Sequence, residues 1–302
     1  MNEKHAYLIM AHNNFEQLQL LIKLLDDPRN DIYLHIDRKA KAAAPKIETR
    51  YSQLTVIDPI CVTWGGHSQI ECEMNLFKAA ASGHYMYYHL ISGLDLPLKT
   101  QNEIHAFFQS HKGKNFIKFD KNANEAGSFR ARTQYFHFFQ NIAGRSNCIW
   151  AQNLRKVKNL LVYAQKLFHI ERKEFFPLWK GANWVSITDD MVQYIISCDK
   201  LIKKQFYYSV CADEIFLQSV AMYSPYRDTI VNNYYREIDW NRGNPYTFRK
   251  EDISELLKSS AVFARKFDES VDKEAIYCLV DYINEKSCRE SESMNAIDKN
   301  NG

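Results

Sequence analysis

The stretch Ala6-Tyr7-Leu8-Ile9-Met10-Ala11, close to the start of the chain, is a hydrophobic run with polar residues on both sides. Such a run is typical of a buried strand. Leucine and isoleucine residues then recur at helical spacing until Pro28, which cannot continue a helix, and a second hydrophobic run covers residues 32–36. Strand, helix and strand in this order favour a right-handed parallel crossover. The pattern predicts an α/β fold with a mixed, mostly parallel sheet flanked by helices.

The residues that follow these two strands are candidates for ligand binding, because ligands in such sheets bind beyond the carboxyl ends of the strands. His12 follows the first predicted strand and Asp37 follows the second. We therefore expect both side chains beside a ligand. Asn13 or Asn14 is the expected cap of the helix between the strands.

The rest of the chain continues to alternate between strands and helices. Further strands are predicted at residues 54–57, 87–92, 115–119 and 181–187, and further helices near residues 69–81, 102–110, 154–168, 189–197, 250–258 and 272–284. Residues 121–176 are polar and aromatic, which predicts an insertion over the sheet face. That insertion is either an acceptor-binding region, with Arg130 as a candidate contact, or a purely structural excursion. We expect one domain over residues 1–288 and a frayed polar tail over residues 289–302.

Composition limits the classes of function. The 302 residues include 46% hydrophobic and 14% aromatic side chains, enough for a sizeable core. A net charge of +3 is too small to indicate bulk nucleic-acid binding. The seven cysteines form no Cys-x-x-Cys pair, as expected for reduced thiols in a cytosolic protein. The sequence shows neither a signal peptide nor a hydrophobic run of about 18 residues, so we expect a cytoplasmic location.

The chain lacks the motifs of several enzyme classes. It contains no Gly-x-Gly-x-x-Gly after the first strand, no Walker-type loop and no Gly-x-Ser-x-Gly elbow, which argues against dehydrogenases, P-loop enzymes and α/β-hydrolases. It also contains no Asp-x-Asp, the motif through which many nucleotide-sugar transferases hold a metal. A bound diphosphate would then need cationic side chains. Arg242 and Lys266 are candidates, although exposed basic residues are mostly solvated.

The segment Cys211–Gln218 carries two adjacent carboxylates, Asp213 and Glu214, directly before the hydrophobic run Ile215–Leu217. Asp213 suits the capping position of a helix. Glu214 would then project from the first turn, where a carboxylate can act as a general base. An ordinary capped helix without a catalytic role is the alternative.

Several segments, taken together and in order, resemble one family of enzymes. They lie at residues 6–12, 34–39, 62–68, 90–99, 181–184, 213–214 and 263–268. The most diagnostic are Ser-Gly-Leu-Asp-Leu-Pro-Leu-Lys at 92–99 and Ala-Arg-Lys-Phe-Asp at 264–268. The chain resembles the core-2/I-branching β-1,6-N-acetylglucosaminyltransferases, glycosyltransferase family 14, which also contains the peptide O-xylosyltransferases. The resemblance implies a GT-A-like fold and an inverting transfer from a UDP-sugar with no divalent metal and no other cofactor.

The resemblance also implies roles for single residues. Glu214 would be the catalytic base, and Lys266 would bind the diphosphate of UDP. Arg242 would be the second diphosphate-binding cation, with Arg249 as the alternative. The expected nucleoside contacts are His12 and Asp37. The candidates for contacts with the donor sugar or the acceptor are Trp64, Ser92, Asp95, Arg130, Trp184 and Asp213.

The expected donor is UDP-N-acetylglucosamine, and the expected acceptor is a hydroxyl of an oligosaccharide or a lipid-linked glycan. Because the chain shows neither the membrane anchor nor the disulfide-held stem of the animal members, it looks like a bacterial member. It would then act in surface polysaccharide synthesis, in the cytoplasm or peripherally at the inner membrane face. Two alternatives stay open: transfer of xylose, or of a hexose other than N-acetylglucosamine, from a UDP-sugar, and a catalytically inactive protein that binds glycans.

Overall fold

The computed structural model describes residues 3–40, 45–122, 129–243 and 245–300. The strands are β1 His5–Ala11, β2 Asn30–Ile36, β3 Gln53–Val56, β4 Tyr87–Ser92, β5 Asp95–Pro97, β6 Asn115–Phe116, β7 Phe119–Asn122, β8 Trp179–Gly181, β9 Val185–Ile187, β10 Ile230–Val231, β11 Arg236–Ile238 and β12 Phe263–Arg265. The α-helices are α1 Phe15–Leu25, α2 His67–Ala80, α3 Gln101–Ser110, α4 Ala131–Gln134, α5 Gln140–Ala143, α6 Ile149–Leu167, α7 Asp189–Ser197, α8 Asp199–Phe206, α9 Asp213–Tyr223, α10 Ile253–Leu256 and α11 Lys273–Asn300.

The central sheet has the strand order β10-β6-β9-β4-β1-β2-β3. β1 pairs in parallel with both β2 and β4, β2 pairs in parallel with β3, and β6 pairs in parallel with β10. β9 runs antiparallel between β4 and β6. The predicted α/β class, the mostly parallel sheet and the first strand–helix–strand crossover are therefore confirmed, and the arrangement is consistent with a GT-A-like fold.

Helices cover both faces of the central sheet, which explains why β1 is hydrophobic without alternation. Tyr7 and Ile9 point into a core shared with α1, α3 and α11. Ala6 and Leu8 point to the opposite face, into a core shared with α2, α7, α8 and α9. Because both faces are covered, the exposed parts of the sheet are the ends of its strands, where the site lies.

A small sheet with the order β11-β12-β5 lies beside the central sheet. Arg236 of β11 is buried, and its guanidinium group donates to the carbonyl oxygens of Leu90 at 3.1 Å and Val185 at 3.0 Å. Those carbonyls belong to β4 and β9, so Arg236 fastens the small sheet to the central one.

The structure corrects several predicted boundaries. The predicted strand at 181–187 is two strands, because β8 leaves the central sheet and pairs with β7. Gly181 allows this departure, since a Cβ atom there would overlap the carbonyl group of Lys118. The strand predicted at 115–119 ends at Phe116, the helix predicted at 250–258 shortens to α10 after a 3-10 turn, and α8 was not predicted.

The last helix, α11, continues to Asn300, through most of the segment that was expected to be frayed. The carboxylate of Glu290 accepts hydrogen bonds from Thr100 at 2.9 Å and Asn102 at 3.2 Å. These contacts hold the polar end of α11 against the start of α3. The division into one domain and a tail stays a prediction. Within the described ranges, no helix combines the length and the apolar character needed to cross a bilayer.

Candidate active site

A cavity of about 720 Å³ lies at the carboxyl ends of β1, β2 and β4. His12, Asp37 and Ser92, which follow or end these strands, all line it. The sequence prediction that His12 and Asp37 meet at one edge of the sheet is therefore confirmed. Their proposed contacts with a nucleoside stay a prediction.

Asp37 is held in a fixed orientation at the cavity wall. Its carboxylate accepts hydrogen bonds from the backbone N–H groups of Lys39 at 2.9 Å and Val62 at 3.2 Å. The ammonium group of Lys39 lies 3.4 Å from the same carboxylate. An acceptor oriented in this way suits hydrogen bonding to hydroxyl groups of a ligand.

Glu214 reaches the cavity from the first turn of α9. Arg132 donates to Oε2 of Glu214 at 2.9 Å, and the ammonium group of Lys180 lies 3.5 Å from the same oxygen. In the described part of the chain no hydrogen bond to Oε1 is formed, so this oxygen is available to an incoming group. The prediction that Asp213 caps the helix is wrong. The cap position is Ala212, which makes no side-chain capping hydrogen bond, and Asp213 is the first helical residue.

Asp213 instead lines the cavity beside Glu214 and connects it to the buried Glu73. Gln69 of α2 donates to Oδ2 of Asp213 at 3.2 Å. Burial, and secondly the charge of Glu214, raises the pKa of Asp213 to about 6. Glu73 of α2 is fully buried, and burial followed by the charge of Asp213 raises its pKa well above the ordinary value. The side chain of Asn183 lies beside Glu73, but neither carboxyl oxygen has a well-aligned hydrogen-bond partner among the described residues. Burial and the neighbouring carboxylate therefore both favour the protonated form of Glu73.

The turn Trp64-Gly65-Gly66 positions α9 from the other side of the cavity. The carbonyl oxygen of Gly65 accepts from the backbone N–H of Cys211 at 2.9 Å. Gly65 has φ of 66°, and a Cβ atom there would lie 2.9 Å from Sγ of Cys211, so only glycine fits without strain. Trp64 lines the cavity with 46% of its surface exposed. The guanidinium group of Arg145 stacks on its ring at 3.4 Å from the centroid.

Arg265 is the cation that the small sheet contributes to the cavity, and it was not among the predicted site residues. It pairs in register with Asp95 across β12 and β5, and Nη1 lies 2.7 Å from Oδ1 of the fully buried Asp95. The guanidinium group also lies 4.4 Å above the ring of Trp184, which lines the cavity. Asp95 thus orients Arg265 and does not itself line the cavity. The signal for Arg265 was its place next to Lys266 in a segment already singled out.

The other predicted cations do not line the cavity. Arg242 lies close to Asp239 and Asp252 in two ion pairs, the second at 2.7 Å, and Arg130 pairs with Glu174 at 3.1 Å. Lys266 adjoins Arg265, but the cavity wall does not include it. Arg249, the alternative to Arg242, is exposed and likewise outside the wall.

Two contacts of Glu214 were missed because nothing local in the sequence connects them to it. Arg132 is 82 residues before Glu214 in the chain. Lys180 is the middle residue of β8, a strand that the sequence pattern did not show. Among the residues that the structure describes, no group of three or more His, Cys, Asp or Glu side chains is arranged to hold a metal ion.

Comparison with known proteins matches most of the chain. The family model of the core-2/I-branching enzyme matches residues 5–259. Xylosyltransferase 2 of Canis lupus familiaris is 22% identical over 304 aligned residues, covering 91% of this chain and 33% of that protein. Xylosyltransferase 1 of Rattus norvegicus is 22% identical, covering 92% of this chain and 35% of that protein. The chain thus spans about a third of the length of these relatives.

Proposed function

Because the chain belongs to the core-2/I-branching enzyme family, we propose that it transfers a sugar from a UDP-sugar to a glycan hydroxyl with inversion at the anomeric carbon. The observation that carries this proposal is the position of Glu214. Its carboxylate faces the same cavity as His12 and Asp37, which follow the first two strands. A nucleotide at the strand ends would place its sugar toward α9.

Glu214 supplies the base in the proposed reaction. An acceptor hydroxyl donates to Oε1, and the acceptor oxygen then forms a bond to the anomeric carbon while its proton passes to Glu214. The bond from that carbon to the diphosphate breaks, and UDP leaves with the bonding electrons. Arg132 and Lys180 hold Oε2, so they keep the carboxylate oriented before the proton arrives.

The cations beside the leaving diphosphate are, in this proposal, Arg265 and Lys266. Arg265 lines the cavity, and Lys266 is adjacent and has no carboxylate partner within hydrogen-bonding distance among the described residues. Arg242 is a weaker candidate because it does not line the cavity and pairs with two carboxylates, those of Asp239 and Asp252. Charge stabilisation of this kind contributes about 3–4 kcal/mol per donor to a transition state.

N-acetylglucosamine is the first donor sugar that we propose, from the resemblance of the sequence segments. Xylose is the second, because the relatives are named as xylosyltransferases. The proposed acceptor is an oligosaccharide or a lipid-linked glycan of a bacterial surface polysaccharide. A panel of UDP-sugars assayed for UDP release, with and without added glycans, decides between the donors.

Replacing Glu214 tests the mechanism. We expect Glu214→Gln to bind UDP with unchanged affinity and to lose transfer by about 10²–10⁴-fold, the usual contribution of a general base. Glu251→Gln changes an exposed glutamate in the same way and serves as the control, with full activity expected. Full transfer by Glu214→Gln would refute the assignment.

We further propose that transfer needs no divalent metal. This proposal rests on the missing Asp-x-Asp and on the cations near the cavity. EDTA should therefore leave the rate of UDP release unchanged, and recovery by added Mg²⁺ or Mn²⁺ after a loss would contradict the proposal.

A further inference from the structure

A second cavity of about 500 Å³ adjoins the first, and Trp64 and Arg145 line both. Two more cations, Arg155 and Lys158, enter it from α6. Arg155 donates to the carbonyl oxygens of Gly144 at 3.2 Å and Ser146 at 2.7 Å, so backbone oxygens hold its side chain in place.

These cations have no anionic partner in the described ranges of the chain. Lys158 donates only to the amide oxygen of Gln140, at 3.0 Å. Burial, followed by repulsion from Arg155, lowers the pKa of Lys158. Partly buried cations placed side by side cost free energy unless an anion joins them. This arrangement is typical of a site whose anion arrives with a ligand.

We propose that this cavity binds an anionic substituent, a phosphate or a carboxylate, on the acceptor glycan. The inference rests on the proposed sugar transfer, because the cavity shares the Trp64 wall with the cavity that contains Glu214. A sugar stacked on Trp64 could present one hydroxyl to Glu214 and its charged group to Arg155 and Lys158.

Saturation-transfer NMR with glucose 6-phosphate, glucuronate and glucose as probes tests this site without turnover. The charged sugars should give saturation-transfer signals and glucose should not. Lys158→Gln and Arg155→Gln should each lower the affinity for the charged sugars at least about fivefold. Lys156→Gln, an exposed lysine on the same helix, is the matched control and should bind like the wild type. A response to only one charged sugar identifies phosphate or carboxylate as the natural group.

UDP binding is measured on the same samples to separate the two proposals. The anion site is refuted, while the transferase proposal stands, if UDP binds but neither charged sugar does. The same holds if Lys156→Gln lowers the affinity for the charged sugars as much as Lys158→Gln and Arg155→Gln do. If charged sugars bind and UDP does not, the anion site stands and the transferase proposal fails.

The outward side of α6 is a separate feature. Of its 19 residues only Ala151 and Gln165 are buried, yet helices on protein surfaces normally bury their apolar stripe. The apolar residues instead recur at helical spacing on the side opposite Ala151, with Ile149 79%, Leu160 66% and Leu167 63% exposed. The other large exposed apolar side chains of this segment are Trp150, Val157, Leu161, Tyr163, Phe168 and Ile170.

All charged residues of α6 are basic: Arg155, Lys156, Lys158 and Lys166. Lys156 and Lys166 are exposed; Lys156 lies on the apolar side itself, four residues before Leu160, and Lys166 lies toward its edge. An apolar side with aromatic residues and exposed lysines, whose long side chains can reach lipid headgroups, is the pattern of a helix that lies in the surface of an anionic membrane. A second copy of α6 on the same stripe would bring like charges together, so charge disfavours self-association.

We also propose that the outward side of α6 docks the protein on an anionic lipid surface. The helix would lie along the surface, with Arg155 and Lys158 turned inward to the anion cavity. An acceptor glycan attached to a lipid would then meet the active site at the membrane.

Co-sedimentation with vesicles tests the docking surface. The full chain should bind vesicles of phosphatidylcholine mixed with phosphatidylglycerol and bind phosphatidylcholine alone much less. Leu160→Gln with Leu167→Gln should lower binding at least tenfold, and Lys156→Gln with Lys166→Gln should lower it about fivefold per lysine. Val56→Gln with Tyr277→Gln, exposed apolar residues outside α6, is the control and should bind like the wild type.

Equal binding to neutral vesicles, no binding to either, or an equal loss in the control pair would refute membrane docking. Size-exclusion chromatography tests whether the outward side of α6 instead joins two copies of the chain. A dimer that the leucine substitutions dissociate would make this side an interface between copies and refute the proposal.

Discussion

At the scale of the residue, Glu73 is a group whose ionisation the fold opposes. Its pKa is raised in the folded chain by burial and by Asp213, and lies near 4.3 in an unfolded chain. As the pH rises through the pKa that Glu73 has in the unfolded chain, the unfolded chain releases a proton that the folded chain keeps. The contribution of Glu73 to stability is therefore greatest below that value and falls as pH rises toward the folded pKa, by about 1.4 kcal/mol per pH unit.

We predict that Glu73→Gln, which keeps the size and polarity of the side chain, flattens this decline. At pH 8 the variant should be at least as stable as the wild type, measured as the free energy of unfolding in urea at pH 5 and pH 8. The exposed neighbour Glu71 provides the control, Glu71→Gln, with an unchanged slope. An identical pH dependence in all three proteins would contradict a raised pKa of Glu73.

Arg265 and Arg242 provide a second prediction at this scale. Arg265→Gln should weaken UDP binding by at least about tenfold, or 1.4 kcal/mol, whereas Arg242→Gln should change it less than Lys266→Gln does. Isothermal titration with UDP measures all three. Because Arg265→Gln would leave Asp95 buried without its partner, the pair Arg265→Gln with Asp95→Asn is the folding control. A larger loss for Arg242→Gln would restore the original assignment.

At the scale of the element, the position of α9 depends on the turn at Gly65. Gly65→Ala places a Cβ atom against Cys211 and forces a left-handed backbone conformation that costs about 1–2 kcal/mol. We predict lower stability together with a marked loss of transfer, because Cys211 directly precedes α9. Gly113→Ala is the matched control, since Gly113 has φ of 83° and nothing within 4 Å of an added Cβ.

Thermal unfolding and transfer are compared for both glycine variants. Both should lose stability, but only Gly65→Ala should lose transfer. Equal transfer losses would show that backbone strain alone, and not contact with α9, is responsible.

The elements that the sequence predicts well are those with strong periodicity. β1, β2, β4, α1 and α7 were predicted because buried strands and amphipathic helices leave regular hydrophobic patterns. The sequence did not predict that β8 and β9 are separate strands, because their separation depends on the close approach of the Gly181 backbone to Lys118. Likewise Asn14 lies at the predicted cap, but its side chain donates to Asp268 at 2.9 Å, a contact 254 residues away, and makes no capping bond.

The same distinction holds for the site. Residues at strand ends, such as His12 and Asp37, followed from topology. Arg132 and Lys180 reach Glu214 only through tertiary structure, so no local pattern pointed to their contact. Family resemblance located Lys266 but not the neighbouring Arg265, whose orientation depends on its pairing with Asp95.

At the scale of the whole molecule, the two ends of β1 differ in chemistry. The carboxyl end opens into the cavity, whereas His5 at the amino end belongs to a buried cluster. Nδ1 of His5 lies 3.0 Å from Nε2 of His89, and the ring of His105 stacks on His5 at 4.1 Å. Burial lowers the pKa of all three, that of His105 to about 4.

This cluster predicts loss of stability in mild acid. Below the unfolded pKa of about 6.5 the unfolded chain takes up protons that the folded chain refuses, which costs about 1.4 kcal/mol per pH unit and histidine. The contribution of these histidines to stability should therefore be complete above pH 6.5 and decline toward pH 4. His105→Gln should reduce the difference between urea midpoints at pH 7.5 and pH 5.5.

His169→Asn, at an exposed position, is the control for the acid effect and should leave that difference unchanged. If the urea midpoint of the wild type is the same at pH 7.5 and pH 5.5, the lowered pKa values of the buried histidines are contradicted.

The hydrogen bond from Gln69 to Asp213 joins residues 144 positions apart. Bringing such distant segments together costs chain entropy that local structure does not repay, so contacts of this kind slow folding. During synthesis, the strand ends that would receive the nucleotide are made long before α9. The catalytic pocket is therefore expected to assemble late, and during refolding helical circular dichroism should return before the protein regains UDP affinity.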